Sequence, residues 1–183
     1  MQTHHATSPT TPAVNPATTR RHAAQLELDD LLALEPFALE RLYAEARVPA
    51  LNALQGDLRG RMLAVTMVPP GWSATARVWA GSDAFPWRGK SFAPLGDDEG
   101  RGINRVFSDR VRLFAFETSI ARSRAGDFDA FQLDYDLPDN PFFIRRIKDE
   151  IRELSPGLYL GQAYWHTARA DHLVLYFALT SRS

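Results

Sequence analysis

Between Phe128 and Thr180 the hydrophobic period switches from that of a strand to that of a helix and back, which constrains the fold more than any other feature of the chain. FQLDYD, ending at Asp136, reads as a strand, and NPFFIRRIKDEIREL, from Asn140 to Leu154, as an amphipathic helix. LYLGQAYW and HLVLYFALT, from Leu158 and His172, read as a closing hairpin. A curled antiparallel sheet with one helix laid against it shapes a pocket.

The signals for that helix are local. Asp139 or Asn140 suits its cap, Pro141 its first turn, and Ser155-Pro156-Gly157 its stop. Phe143, Ile144, Ile147, Ile151 and Leu154 make the stripe to be buried. Arg145–Asp149 and Arg146–Glu150 make i,i+4 pairs on the wet side.

Upstream, residues 1–22 are rich in Thr, Pro, Ala and Ser and are expected to be a disordered tail that carries His4 and His5. The remainder, 23–183, is expected to be a single domain. A helical pair should open it: a short stripe of Leu28, Leu31, Leu32 and Leu34, then PFALERLYAEARV with Pro36 in its first turn and Pro49 beyond its end. Arg61 to Val68 reads as a strand stopped by Pro69-Pro70-Gly71, and Trp72 to Gly81 as a weaker one. Gly89, Pro94, Gly96, Gly100 and Gly102 suggest loops between short strands. Residues 103–107 and 111–118 suggest a hairpin about Ser108-Asp109. Roughly seven to nine short strands suffice for a small antiparallel barrel.

Composition removes whole classes of function. No cysteine is present, so disulfides, thiolate nucleophiles and sulfur-ligated metals are excluded. A net charge of -1, with basic clusters such as Arg145, Arg146 and Lys148 set among acids, points to no nucleic-acid partner. There is no apolar run long enough for a transmembrane helix and no signal-peptide pattern, so a cytoplasmic location is expected.

Motif fragments are equally restrictive. RGKS at Arg88–Ser91 ends like a phosphate-binding loop, but Ala84 stands where the loop requires glycine and Pro86 removes an N–H donor. The aspartates from Asp127 to Asp139 place Gln132 and Pro138 where a calcium loop needs glycine and glutamate. No Gly-x-Ser-x-Gly elbow exists. His166 and His172 flank the last turn, where they are placed to pair with each other. They have no third metal ligand and no clear role as axial ligands of a haem. No cofactor and no metal are expected.

The aromatics point to a ligand instead. Trp72, Trp79, Phe85, Trp87 and Phe92 fall in or beside loop-rich sequence, with Arg88, Lys90 and Asn104 near enough to orient a polar end. On the later strands Phe131, Leu133 and Tyr135, together with Leu173, Leu175, Phe177 and Leu179, mark an apolar face. The opposite, semi-polar face carries Gln132, Asp134, Gln162, Tyr164 and Tyr176. If the sheet closes, that second face is expected to line the interior; otherwise it faces water. The candidate ligand-binding residues are therefore Trp87, Arg88, Lys90, Asn104, Gln132, Asp134, Gln162 and Tyr164.

DLRGRMLAV followed by PPGW, a meander of short strands and a helix before the closing hairpin together resemble the lipocalin, or calycin, superfamily. The glycine–tryptophan pair of those proteins is Gly-x-Trp on the first strand, whereas Gly71 and Trp72 are adjacent here. Residues from DFDAFQLDYD to LGQAYW also resemble bacterial proteins of unassigned function. The lipocalin resemblance covers residues 58–180 and implies an α+β chain: a small antiparallel β-barrel, lipocalin-like, with N-terminal helices and one helix before the last hairpin. It further implies binding of a small apolar or amphipathic molecule of fatty acyl, terpenoid or polyketide type. The alternative is a cofactor-independent cyclase, isomerase or lyase, with Asp134 as a base whose pKa burial raises and Tyr164 or Tyr176 as the acid. A third reading is a protein-interaction module docking through the N-terminal helices or tail.

Overall fold

A computed structural model describes residues 26–66, 86–96, 99–108 and 110–181. The expected tail with His4 and His5, the Pro69-Pro70-Gly71 stop, Trp72, the strand from Trp72 to Gly81, Phe85 and Asp109 lie outside the described residues.

Eight strands form a closed antiparallel barrel: β1 (Gly56–Val65), β2 (Trp87–Pro94), β3 (Gly100–Val106), β4 (Arg112–Arg122), β5 (Asp129–Asp134), β6 (Ile147–Ser155), β7 (Leu158–His166) and β8 (Asp171–Thr180). Each strand pairs with the next in sequence, and β8 closes on β1 from Arg59↔Thr180 to Val65↔Leu175. Closure gives each of these strands a paired neighbour on both sides and leaves no edge strand among them.

The expected helix from Asn140 to Leu154 is not formed. A short 3-10 turn, Ile144–Arg146, leads directly into strand β6, which joins β5 to β7. Asn140 is no helix cap: its Nδ2 donates to the carbonyls of Ala115 and Tyr135, at 2.7 and 2.8 Å. Ser155-Pro156-Gly157 is a hairpin turn, with Gly157 at φ 77°. The reason is long-range pairing. Ile147, Asp149 and Ile151 alternate with Lys148, Glu150 and Arg152; the first set finds partners across the barrel interior, as Asp149 does in Lys90, and the second on neighbouring β5, which a solitary helix could not have.

At the N-terminus, Asp30–Ala33 is a 3-10 turn rather than the first helix of a pair. The residues before Pro36 are extended, as the proline ring demands, and α1 (Pro36–Glu45) follows. Its Leu39 and Tyr43 pack with Leu63, Leu160, Tyr176 and Ala178 on the outer wall of the barrel. Among the described residues no helix is long and apolar enough to cross a membrane.

A second core fills the barrel itself. Leu58, Phe92, Phe116, Phe131, Ile151 and Leu179 pack there, and the 3-10 turn Leu51–Ala53 with Leu54 joins them at one end. Tyr159 fixes that plug by donating its hydroxyl to the Ala53 carbonyl at 3.3 Å. The other half of the barrel remains hollow.

Candidate functional site

Strand alternation decides what the hollow sees. Phe131, Leu133 and Tyr135 point inward with Leu175, Phe177 and Leu179, so the apolar face lines the interior, except that Leu173, beyond a register shift in the β7–β8 ladder, packs with the outer cluster. The expectation that Gln132, Asp134, Gln162, Tyr164 and Tyr176 line it is corrected: they lie on the opposite, outer face. The interior is the larger apolar sink, while on the outer wall α1 covers apolar side chains and the Ser123–Phe128 turn satisfies polar groups.

Those outer residues have structural partners. Gln132 Nε2 donates to Glu150 at 2.8 Å, where Ser123 Oγ also donates at 3.0 Å. Tyr164 donates to Gln162 Oε1 at 2.6 Å, and burial, then the Glu150 charge, raises its pKa. Tyr176 is buried among the side chains beneath α1. Asp134 is ion-paired with Lys148 and 56% exposed, so the burial expected to tune it as a base is missing. One strand, β6, separates Asp134 from Tyr164 in the row Asp134–Lys148–Tyr164. They do not converge on a substrate.

The cavity occupies about 300 Å³ and is bounded largely by Met62, Trp87, Val106, Phe114, Ile147 and Leu175. Trp87, Lys90 and Asn104 reach it, and Arg88 does not. A β-bulge between Trp87 and Gly89 explains the division. Strict alternation would send Trp87 and Lys90 to opposite faces. The bulge takes up one residue, with Gly89 at φ 129°, so both point inward.

Lys90 is 3% exposed, and its ammonium group is the centre of the site. It donates to Tyr135 Oη at 2.6 Å, Asn104 Oδ1 at 2.9 Å and Asp149 Oδ2 at 2.9 Å. Tyr135 donates to Asp149 Oδ2 at 3.0 Å, and Trp87 Nε1 to Asn104 Oδ1 at 3.0 Å. The rings of Trp87, Phe116, Tyr135 and Phe177 surround the nitrogen, with centroids 5.1–5.4 Å away. Burial lowers the Lys90 pKa while Asp149 opposes the shift; burial and then Asp149 push Tyr135 well up.

Tyr135 and Asp149 were absent from the candidates drawn from sequence. Asp149 looked like one member of an exposed helical pair, and Tyr135 like one more apolar position. The available signal was the inward series Ile147-x-Asp149-x-Ile151, a lone carboxylate on an apolar strand face that calls for a buried cation.

Glycines make room for the aromatic wall. Gly161 lies opposite Phe177, and Gly102 opposite Phe116, on neighbouring strands, and each ring lies where a glycine Cβ would stand. A Cβ at Gly60 would come within 2.6 Å of the Trp87 ring. Three of the four rings around Lys90 thus pack directly against glycine backbone.

At the last turn His166 pairs with Asp171, 2.6 Å away, rather than with His172. Among the described residues no cluster of three His, Asp or Glu could hold a metal ion.

No family model and no curated protein matches the chain. Among solved structures it is similar to one described as "Crystal structure of protein from Thermomonospora curvata", over 91% of this chain and 95% of that one, at 17% identity and a TM-score of 0.48. A likeness of that order says nothing about function.

Proposed function

We propose that this protein is a lipocalin-like barrel that binds a small amphipathic molecule, with its apolar body in the cavity and its polar end at Lys90, Asn104, Tyr135 and Asp149. The observation that supports the reading is a buried, charged and hydrogen-bonded cluster at the wall of an apolar hollow. Fold stability alone is served as well by hydrophobic residues at such positions, so the cluster has another use. Its volume, about 300 Å³, is at the small end of ligand sites, which suits a compact terpenoid or a medium acyl chain.

Ala163 lines the cavity on β7 and gives the test. Ala163→Phe should fill the hollow and abolish one-to-one binding of a fluorescent apolar probe while the far-ultraviolet circular dichroism stays unchanged. Undiminished probe binding in the folded variant refutes the proposal.

A catalytic role at the same cluster is the second reading. It is favoured by Asp149 Oδ1, unpartnered among the described residues, which can take a proton activated by the carbonyl of a bound compound while Lys90 and Tyr135 donate to Oδ2 and hold the carboxylate in place. Turnover of a bound enone that survives Tyr135→Phe at the wild-type rate would refute that role.

A further inference from the structure

A count of donors and acceptors around Lys90 narrows the ligand's polar end. A lysine ammonium carries three N–H groups, and all three find acceptors, in Asn104, Tyr135 and Asp149. The Asn104 amide directs its two N–H groups to the Phe114 carbonyl and to Tyr135 Oη, both at 3.1 Å. Trp87 uses its single N–H on Asn104, and Tyr135 its single O–H on Asp149. Every donor of the cluster is thereby engaged within it.

The acceptors are not. Asp149 Oδ2 receives two hydrogen bonds, whereas Asp149 Oδ1, buried on a residue that lines the cavity, receives none among the described residues. An unsatisfied buried carboxylate oxygen is costly, and whatever enters the cavity removes that cost only by donating to it. The terminal torsion of an aspartate is soft, so Oδ1 can turn toward an arriving donor.

Charge narrows the choice further. Lys90 and Asp149 already balance each other inside a ring of aromatics. A ligand carboxylate would add an unpaired negative charge beside Asp149, and a ligand ammonium a second cation beside Lys90, each in a medium that solvates ions poorly. A neutral hydroxyl supplies the donor without either cost.

We infer that the cavity selects apolar alcohols, with Asp149 Oδ1 as the acceptor of the ligand hydroxyl, and discriminates against the carboxylic acids of the same shape. This inference rests on the reading of the cavity as a binding site. It departs from a fatty-acid ligand and favours a terpenoid alcohol or phenol.

The test compares three molecules of matched size, 1-octanol, octanoate and heptyl methyl ether, by competition with the fluorescent probe on the full chain at neutral pH. Octanol should bind about tenfold tighter than the ether, which lacks the donor, and octanoate weaker than octanol by at least that factor. In Asp149→Asn the amide can present an N–H where Oδ1 stood and leaves Lys90 without its counter-charge. The order should then invert, with octanoate ahead of octanol. Equal wild-type affinities for octanol and ether, or octanoate as the tightest wild-type ligand, overturn the inference while leaving a binding cavity in place. If none of the three displaces the probe and the probe itself fails to bind, the cavity reading falls with it. Should Asp149→Asn not fold, the wild-type order decides alone.

Discussion

Lys90 and Asp149 meet across the lumen of the barrel, Nζ to Oδ2 at 2.9 Å, although their strands β2 and β6 are not neighbours in the sheet. Hydrogen-bonded pairing brings together only adjacent strands, so this contact depends on closure. Both side chains lose their water, and each is the other's only opposite charge at hydrogen-bonding distance among the described residues.

Breaking this pair should therefore cost more than removing it. Lys90→Met leaves Asp149 buried without its cation and should destabilise the fold by about 3–5 kcal/mol, as should Asp149→Leu. The double variant should recover most of that loss. Urea unfolding of the four proteins gives the coupling; additive losses would mean that the two charges do not depend on each other.

Gly161 should control the cavity without touching a ligand's polar end. Ala at this position would meet the Phe177 ring, which forms T-shaped contact with Trp87 at 5.7 Å. Gly161→Ala should displace the ring into the hollow, cost about 1–3 kcal/mol in stability and weaken probe binding. Unchanged probe affinity would show that Phe177 moves elsewhere.

The tyrosines should set the alkaline limit of stability. All five, Tyr43, Tyr135, Tyr159, Tyr164 and Tyr176, have pKa values raised first by burial. A folded-state pKa raised above the unfolded value of about 10 leaves the native state holding protons that the unfolded chain has released. Stability is therefore unaffected below about pH 10 and falls as pH rises through and beyond it. Absorbance at the tyrosinate band should stay flat past pH 10 and then rise in one step with loss of circular dichroism. A gradual rise in the folded protein would identify a tyrosine that water reaches.

The amino-acid sequence by itself determined the strands that carry strong alternation. The expected closing hairpin from Leu158 to Thr180 matches β7 and β8, and FQLDYD overlaps β5, because apolar residues at every second position have only one way to share a face. It also separated Phe131, Leu133 and Phe177 from Gln132 and Gln162, though not which set faces inward. For β6 the local and distant forces disagreed. Asn140-Pro141 and the spacing of Ile144, Ile147 and Ile151 satisfy a helix, while two flanking strands that need a partner select a strand.

Only the tertiary structure decided the site. The bulge after Trp87 turns Trp87 and Lys90 to one side, and no spacing rule reveals a bulge before its partner strand is known. Asp149 reads as a surface charge until closure of the barrel places Lys90 opposite it. Local sequence fixes which side of a strand a residue occupies, but the identity of its neighbour across a lumen depends on the register of every strand between them.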